Sequence, residues 1–219
     1  NWNKLDIISS DGKYYRWTYN TDSKTMSTDL LYNYIPKQVT DLYTLTDENK
    51  VIRISDGEVV CENAKKVSNS GLVLFSDGTL KDINADMSTV SDDITDLDPA
   101  FPVAVKNGGM LFRYDKNEDG SYTAKLVDSG VTGYLSSTRL YTKDDYTTKV
   151  YEANKTVKVC DFAAKDALVT DNAVCLADNE NTVYKKTSYD SSDMKILGKN
   201  FSYFYSDSDS FGYISTEST

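Results

Sequence analysis

The chain repeats part of its own sequence at an offset of 97 to 99 residues. Cys61 recurs as Cys160, and Leu42-Tyr43-Thr44 recurs as Leu140-Tyr141-Thr142. Further matches are Tyr15-Arg16-Trp17 with Phe112-Arg113-Tyr114, Asp47 with Asp145, Lys50-Val51 with Lys149-Val150, Ala64 with Ala163, and Lys66 with Lys165. A fixed period indicates similar structural units, each too small to bury its own apolar face, that stack or are arranged radially.

Within each unit, short apolar runs alternate with tight polar turns. Asp-Gly or Asn-Gly between two such runs is the strongest local signal for a β-hairpin, because Gly adopts positive φ freely and Asp or Asn tolerates it. The turns of this kind are Ser10-Asp11-Gly12, Ser55-Asp56-Gly57, Ser76-Asp77-Gly78 and Asn107-Gly108-Gly109. The runs predict units that begin near residues 5, 42, 71, 101, 139, 167 and 201. Only residues 91–98 and 161–168 have a pattern that allows a helical turn.

These features predict an all-β fold of antiparallel hairpin repeats that is β-propeller-like. We expect residues 1–219 to form a single domain, because no Pro-rich, Gly/Ser-rich or charge-block linker divides the chain. The last unit, from Phe201 to Tyr213, is shorter than the others. Either the N-terminal strands complete it as a ring closure, or the array is cut there, and the sequence leaves both alternatives open.

The combination of Ser-Asp-Gly, an aromatic-aromatic-Arg-aromatic run and the recurring Leu-Tyr-Thr-x-x-Asp resembles a known group of repeats. It is similar to the degenerate, Tyr-rich β-propeller repeats of uncharacterised extracellular proteins from Gram-positive anaerobic bacteria. The segment from Val73 to Leu80 also resembles the central hairpin of chromosome-condensation-regulator-type propeller repeats, without their Gly-rich surroundings. The resemblance implies a propeller fold and an extracellular or surface-anchored protein, and it implies no particular activity.

The charge and hydropathy of the chain narrow the classes of partner. The 24 basic residues are scattered among 34 acidic ones, for a net charge of −10. Nucleic-acid binding needs a Lys/Arg footprint that neutralises phosphates, so we expect no nucleic-acid partner. No apolar run approaches the roughly 18 residues of a membrane helix, so we expect no membrane insertion. The chain opens on Asn-Trp-Asn-Lys without a signal peptide, and we expect that any export signal or anchor has been removed.

The residue inventory disfavours most enzyme chemistries. The chain has no histidine, which removes Ser–His–Asp and Cys–His nucleophilic sites and His-based zinc sites. The three cysteines, Cys61, Cys160 and Cys175, have no Cys-x-x-Cys spacing, and we expect them to be reduced, buried apolar residues. Carboxylate chemistry of the glycosidase type remains, since it needs only two suitably spaced acids. We therefore expect no enzyme activity and no cofactor, apart from weak binding of Ca²⁺ as described next.

One segment resembles a calcium-binding loop. Residues 115–120 have the spacing Asp-x-Asn-x-Asp-Gly, so the side-chain oxygens of Asp115, Asn117 and Asp119 are candidates to converge on a hard cation. The later positions of an EF-hand loop are Thr123 and Leu126 here, so the usual closing carboxylate is missing. The alternative is an ordinary hairpin loop in which Asp and Asn bond to the backbone.

Aromatic residues are the other candidate recognition group. They cluster near both termini: Tyr14, Tyr15, Trp17, Tyr19, Tyr32 and Tyr34, and Tyr203, Phe204, Tyr205, Phe211 and Tyr213. Strand alternation places Tyr15, Trp17 and Tyr19 on one face and Tyr14, Arg16 and Thr18 on the other. Such residues suit either packing between units or an exposed stacking surface for a sugar or peptide. Three strand arginines, Arg16, Arg53 and Arg113, are expected to make recurring inter-strand or inter-blade contacts with carboxylates rather than to bind a ligand.

The sequence thus favours a non-enzymatic extracellular binding or scaffolding module that recognises a protein or a glycan at a bacterial surface. Two alternatives remain open: a carboxylate-dependent glycan-active enzyme on the same fold, and a purely structural spacer domain. A fold by itself does not imply a reaction, so the choice depends on the site.

Overall fold

The computed structural model describes residues 2–9, 13–135, 138–152, 155–206 and 211–215. Its regular structure is entirely β, with no α-helix among the described residues. The strands are β1 (Trp2–Ile8), β2 (Tyr14–Asn20), β3 (Thr25–Tyr32), β4 (Pro36–Val39), β5 (Tyr43–Thr46), β6 (Val51–Arg53), β7 (Val59–Cys61), β8 (Ala64–Val67), β9 (Leu72–Phe75), β10 (Leu80–Asp82), β11 (Ser88–Ser91), β12 (Ile94–Leu97), β13 (Val103–Lys106), β14 (Met110–Lys116), β15 (Tyr122–Asp128), β16 (Val131–Leu135), β17 (Leu140–Lys143), β18 (Thr148–Glu152), β19 (Lys155–Cys160), β20 (Asp166–Thr170), β21 (Ala173–Ala177), β22 (Val183–Lys186), β23 (Lys195–Gly198), β24 (Phe201–Ser206) and β25 (Phe211–Ser215).

The strands form successive antiparallel sheets in which neighbours in sequence pair with each other. Five sheets have four strands each, namely β4–β7, β8–β11, β12–β15, β16–β19 and β20–β23. A three-stranded sheet, β1–β3, precedes them and a two-stranded sheet, β24–β25, follows them. A four-stranded antiparallel meander is the blade unit of a β-propeller, so the predicted fold class, all-β with propeller-like hairpin repeats, is confirmed. The chain divides into two compact units, residues 1–91 and 92–219, which are described separately.

The boundaries of the repeats differ from those predicted. The four-stranded sheets begin at residues 36, 64, 94, 131 and 166, so the first strand of each of the earlier four was missed. The physical reason is a bulge near the start of each missed strand, as between Pro36 and Gln38 and between Ala64 and Lys66. A bulge adds a residue and breaks the period of two from which strands are recognised. The two segments with a possible helical turn contain β12 and the start of β20 instead.

The hairpin between the second and third strands has a three-residue loop with the same closing hydrogen bond in all five four-stranded sheets, but in the β13–β14 loop the middle residue, Gly108, also has positive φ. In the β5–β6 hairpin, the Thr46 carbonyl accepts the Asn49 N–H, and the Thr46 N–H donates to the Lys50 carbonyl. This is a three-residue loop whose last residue has positive φ, as in a type I turn with a G1 bulge. The residues at that position are Asn49, Gly78, Gly109, Tyr146 and Asn181, with φ from 63° to 86°. The Ser76-Asp77-Gly78 turn is therefore confirmed, whereas the Ser10-Asp11-Gly12 turn lies outside the described residues.

Tyr146 is a poor residue for this loop position. Its φ is 63°, a region that bulky side chains adopt only at a cost of roughly 1–2 kcal/mol, and its side chain is 75% exposed. We expect Tyr146→Asn to raise the free energy of unfolding by about 1 kcal/mol, because Asn tolerates positive φ and the exposed ring contributes little packing. Urea unfolding followed by circular dichroism measures the change. Tyr146→Ala is the control, since it removes the ring but keeps the strain, and equal stabilisation by both variants would contradict the proposed cause.

Backbone hydrogen bonds join the hairpin of one sheet to the first strand of the next. The Ala64 N–H donates to the Asn49 carbonyl over 3.0 Å, and the Val131 N–H donates to the Gly109 carbonyl over 2.9 Å. The Phe201 N–H makes the same bond to the Asn181 carbonyl over 3.1 Å. The residue just before each of these strands also has positive φ: Asn63, Gly130 and Asn200. The repeats therefore share a backbone junction as well as a hairpin.

The apolar core lies between consecutive sheets. Tyr43, Leu45 and Val51 pack on Ala64, Val67 and Val73 of the next sheet. In the second unit, Leu140, Val150 and Cys160 pack in the same way on Val174 and Leu176. Each sheet thus buries its apolar face only because a neighbour covers it, as expected for a repeat array.

The structure corrects the alignment of the repeats by one residue. The hairpin bonds place Thr46 in the position of Lys143, so Tyr43 corresponds to Leu140 and not to Tyr141. Tyr43 and Leu140 each face the following sheet, whereas Tyr141 packs on Val103 and Val105 of the preceding one. A slip of one residue moves a strand side chain to the opposite face, which is why the identity of Leu-Tyr-Thr misled the alignment.

The cysteines occupy equivalent positions in spite of this slip. Cys61 pairs with Val51, and Cys160 pairs with Thr148, in each case beside a bulge between the third and fourth strands. All three cysteines lie in the described ranges and are free. Cys160 and Cys175 are buried as predicted, but Cys61 is only partly buried. Burial raises the pKa of the Cys61 and Cys175 thiols to about 11, so both are protonated at neutral pH.

Candidate functional site

The segment that resembles a calcium loop is the hairpin between β14 and β15. Asp115 lies in β14, where its carboxylate bonds to the Arg113 guanidinium and forms an ion pair with Lys125 over 2.9 Å. The hydrogen bond from Lys125, followed by that from Arg113, lowers the pKa of Asp115. The Asn117 Nδ2 donates to the Ser121 hydroxyl, and the Asn117 Oδ1 accepts the Thr123 hydroxyl over 3.2 Å. These oxygens therefore already have protein partners.

Asp119 has a role that recurs in other hairpins. Its Oδ1 accepts the Ser121 N–H over 2.9 Å and the Ser121 hydroxyl over 2.6 Å. Asp77 accepts the Thr79 N–H, and Asp145 accepts both the N–H and the hydroxyl of Thr147. Each of these aspartates precedes the positive-φ residue of its loop and bonds to the residue after it. The Asp-x-Asn-x-Asp-Gly spacing is thus accounted for by the hairpin, and no group of three acids or cysteines in the described part of the chain is placed to hold a metal.

A calcium titration tests the remaining prediction for Asp115, Asn117 and Asp119. We expect Ca²⁺ at about 5 mM, above the roughly 10⁻⁴–10⁻³ M dissociation constants of weak extracellular sites, to leave the melting temperature unchanged. The reason is that the Asp115 and Asp119 oxygens are engaged by Lys125 and Ser121. A rise in melting temperature that Asp119→Ala abolishes would instead establish a calcium site. Asp145→Ala is the matched control, because Asp145 makes the same turn contacts outside this segment.

The pKa values of the carboxyl groups bear on the glycosidase alternative. A glycosidase needs one acid whose pKa is raised, so that it stays protonated at neutral pH. Turn contacts or ion pairs lower the pKa of nine carboxyl groups in the described part of the chain. The affected groups are Glu48, Asp56, Asp77, Asp115, Asp119, Asp128, Asp145, Asp190 and Asp193.

Three tyrosines in the first unit stack in a row that we call the tyrosine ladder: Tyr14, Tyr32 and Tyr34. The ring centroids of Tyr14 and Tyr32 lie 5.6 Å apart, and those of Tyr32 and Tyr34 lie 5.3 Å apart at an interplanar angle of 27°. The Tyr34 hydroxyl bonds to the Thr44 hydroxyl over 2.6 Å, and burial raises the pKa of Tyr34. The ladder is therefore fixed at its Tyr34 end.

Tyr32 and Tyr34 of the ladder line a pocket of about 410 Å³, which we call the main pocket. One wall comes from the end of β3 and the following link, and the other from β6 and the turn after it. The lining residues are Leu30, Leu31, Tyr32, Asn33, Tyr34, Ile52, Arg53, Ile54 and Gly57. This volume lies within the roughly 300–1,000 Å³ typical of small-molecule sites. Tyr32 and Tyr34 were predicted candidates, whereas Leu30 and Ile54 have no sequence signal beyond being apolar.

Arg53 is held in the wall of the main pocket by two carboxylates. Its Nη1 contacts Asp56 over 2.8 Å and Glu58 over 3.0 Å. Asp56 in turn accepts the Glu58 N–H, so the turn that carries both acids is itself ordered. The hydrogen bond to Asp56 is the main cause that raises the pKa of Arg53. Arg53 and Arg113 thus contact carboxylates, but the partners lie in the following turn and on the same strand, so these contacts are not the predicted inter-strand or inter-blade ones.

A second, smaller pocket of about 230 Å³ lies beside the main one and shares Arg53 and Ile54 with it. Its other lining residues are Asp41, Leu42, Tyr43 and Ser55. The Ile54 N–H donates to the Leu42 carbonyl, so a backbone hydrogen bond connects two of the residues that line the smaller pocket. The first unit thus carries two neighbouring concavities separated by one arginine and one isoleucine.

The predicted alternation of β2 is confirmed in part. Trp17 and Tyr19 are 42% and 37% exposed, whereas Thr18 on the other face is buried. Across the β2–β3 pairing, Tyr19 lies opposite Met26 and Tyr15 lies opposite Leu30, and both partners are exposed. This face of the sheet is therefore apolar and open, and it adjoins the main pocket through Leu30.

Comparison with known proteins supports the fold and no more. The sequence matches no protein-family model, and a search of the curated proteins finds no similar sequence. Among solved structures, the chain is similar to the computationally designed Ika8 protein, with a TM-score of 0.50 and 14% identity over 96% of this chain and 77% of that one. BamB from Moraxella catarrhalis matches with a TM-score of 0.44 and 12% identity over 97% and 79% of the two chains. At these identities, neither likeness carries information about function. In the part of the chain described, no helical segment has the length and apolar character to span a bilayer.

Proposed function

We propose that this chain is a non-enzymatic binding module that recognises a protein or a glycan at the surface of a bacterium. The observation that carries the proposal is the main pocket, which is lined by Tyr32 and Tyr34 of the ladder and by Arg53, the arginine that contacts Asp56 and Glu58. Ligand sites are typically concave, mostly apolar, and equipped with a few oriented polar groups. The main pocket has these properties and is within the usual size range.

Binding is a better account of this site than catalysis. The two acids nearest the pocket, Asp56 and Glu58, bond to Arg53, and the pKa of Asp56 is lowered, first by the Glu58 N–H and then by Arg53. An acid in this state accepts hydrogen bonds but does not donate a proton at neutral pH. The pocket residues also include no cysteine and no serine that could serve as a nucleophile.

The extracellular location is part of the proposal and is supported by the sequence. The resemblance to Tyr-rich extracellular repeats points to it, and the net charge of −10 fits a protein that does not bind nucleic acid. The extracellular location can be tested by surface labelling of intact cells of the source organism that express the full-length protein.

Ligand screening with a pocket variant tests the function. The protein is applied to arrays of glycans and of peptides, and each hit is measured again with Tyr32→Ala. We expect the variant to lose at least about tenfold in affinity, because a stacked aromatic contact contributes about 1.5 kcal/mol. Tyr203→Ala is the control, since Tyr203 is an exposed tyrosine in the second unit. Melting curves establish that both variants are folded. Hits that Tyr32→Ala leaves unchanged, or no hits at all, would refute the proposal.

A further inference from the structure

We infer that the ligand is an uncharged oligosaccharide of at least two sugar units, which lies across Arg53 and Ile54 with one unit in each pocket. The inference rests on the proposed function and specifies its ligand. Three observations carry it: the ring surface offered by the ladder, the fixation of Arg53 by its two carboxylates, and the wall that both pockets share.

The tyrosine ladder suits the apolar face of a sugar ring. A pyranose carries C–H groups on its faces and hydroxyl groups at its rim, so it packs flat on an aromatic ring. The Tyr34 hydroxyl is already bonded to Thr44, and therefore Tyr34 contributes its ring and not a hydrogen bond to a ligand. Tyr32 has a tyrosine ring on each side, so the ring face left for a sugar is that of Tyr34, and stacking on Tyr32 holds Tyr34 in place. Preorganised aromatic surface of this kind binds without a large loss of side-chain entropy.

Arg53 suits the hydroxyl rim of the same sugar. Both ion-pair contacts found for it in the described residues use Nη1, which leaves the N–H groups of Nε and Nη2 for a ligand. These donors lie in one plane, so they can bond to two neighbouring sugar hydroxyls at the same time. The carboxylates of Asp56 and Glu58 fix the guanidinium and have further lone pairs that accept hydroxyl hydrogens. The wall thus offers donors and acceptors side by side.

The local charge favours an uncharged ligand over an anionic one. Arg53 carries one positive charge, and Asp56 and Glu58 together carry two negative charges. The group therefore has a net charge of about −1, on a chain whose total is −10. A sulfated or uronic-acid glycan would be repelled by both, whereas a neutral sugar would not be.

The shared wall implies that the ligand is longer than one unit. The main pocket of about 410 Å³ has the volume for a sugar ring, and the pocket of about 230 Å³ shares Arg53 and Ile54 with it. Leu42, which is 53% exposed, forms the apolar floor of the smaller pocket. A second ring held there would add contacts without a second loss of translational freedom, so affinity should increase with chain length.

A length series tests the inference. Isothermal titration is carried out with mono- to tetrasaccharides of neutral hexoses and N-acetylhexosamines, with oligogalacturonates as the anionic comparison, and with any peptides that bind on the array. We expect about tenfold tighter binding of disaccharides than of monosaccharides, and at least tenfold weaker binding of the oligogalacturonates than of the neutral sugars. Leu42→Ala should weaken binding of disaccharides and longer chains and leave that of monosaccharides unchanged. Arg53→Lys should weaken all of them about tenfold, since it keeps the charge but loses the planar donors.

The outcomes separate this inference from the proposed function. If only peptides bind and Tyr32→Ala abolishes that binding, the pocket is a binding site but the inference is wrong. Preference for anionic sugars, or equal affinity for mono- and disaccharides, would overturn it in the same way. If neither sugars nor peptides respond to Tyr32→Ala, the proposed function itself fails. Melting curves of Arg53→Lys and Leu42→Ala show whether a lost signal reflects unfolding.

Discussion

Gly109→Ala should lower the free energy of unfolding by about 3 kcal/mol, whereas Gly108→Ala should lower it by about 1 kcal/mol. Both glycines have positive φ, 71° and 83°, so both substitutions introduce backbone strain of roughly 1–2 kcal/mol. The difference arises from space. A Cβ at position 109 would lie 2.7 Å from the Val131 carbonyl oxygen and 3.0 Å from its nitrogen, while a Cβ at position 108 would meet nothing within 4 Å.

The obstacle at Gly109 is backbone, which cannot move aside by a change of rotamer. The clash also threatens the hydrogen bond from the Val131 N–H to the Gly109 carbonyl, which joins two sheets. Losing such a bond costs about 1–2 kcal/mol in addition to the strain. Asn49 and Asn181 carry a Cβ at the equivalent positions, so the close approach is specific to the junction at Gly109.

Urea unfolding followed by circular dichroism measures these effects. The two tryptophans, Trp2 and Trp17, both belong to the first unit, so their fluorescence shows whether that unit is affected at the same time. Gly57→Ala provides a second control with positive φ and open space, this time in the first unit. Equal costs for Gly109→Ala and Gly108→Ala would show that the junction does not depend on close packing at this site.

Asp128→Asn should lower the free energy of unfolding by about 2 kcal/mol at pH 7 and remove a pH dependence below pH 4. The Asp128 carboxylate bonds to Lys143 over 2.8 Å, to the Tyr141 hydroxyl over 2.9 Å and to Lys149 over 3.3 Å. The side chains of Asp128 and Lys143 are only 16% and 12% exposed. Burial by itself raises the pKa of Asp128, but the bonds from Lys143, Ser129 and Tyr141 outweigh it and lower that pKa to about 2.

The direction of the pH effect follows from this shift. The unfolded chain holds the carboxyl proton up to a pH of about 3.9, while the folded protein gives it up above a pH of about 2. The stabilisation is therefore fully present above the unfolded pKa and is lost as the pH falls from about 4 to about 2, and it amounts to about 2 kcal/mol. In Asp128→Asn this contribution is absent at every pH, because the amide does not titrate.

Chemical unfolding at pH 7, 4 and 2.5 measures the effect, with Asp161→Asn as the matched control. Asp161 forms an ion pair with Lys158 over 2.6 Å, but its side chain is 81% exposed. Exposed pairs contribute roughly 0–1 kcal/mol, so we expect the control to differ little from the unaltered protein. A similar loss in both variants would mean that the burial of Asp128 is not what makes its network stabilising.

Part of the recognition site could be predicted from the sequence. Tyr14, Tyr32 and Tyr34 were recognisable as candidates, because tyrosine is abundant in this region and suits both packing and recognition. The calcium-like segment shows the limit of such patterns. Asp119 has the spacing of a metal ligand, yet its contact with Ser121 matches those of Asp77 and Asp145 in other hairpins. A local spacing cannot separate the two uses of an aspartate, since both require an acid followed by a residue that turns the chain.

The sequence by itself determined the β class, the repeated hairpins and the turns at Gly78 and Gly108, because alternation and turn chemistry are local properties. Only the tertiary structure decided which strands begin the sheets, since bulges near Pro36 and Ala64 break the period that reveals a strand. It also decided the alignment of the repeats, because the hairpin hydrogen bonds, and not residue identity, show that Tyr43 corresponds to Leu140. The pocket beside Arg53 was likewise decided by the tertiary structure. Its walls come from β3 and β6, which belong to different sheets, and no local sequence pattern shows that these two strands lie close together.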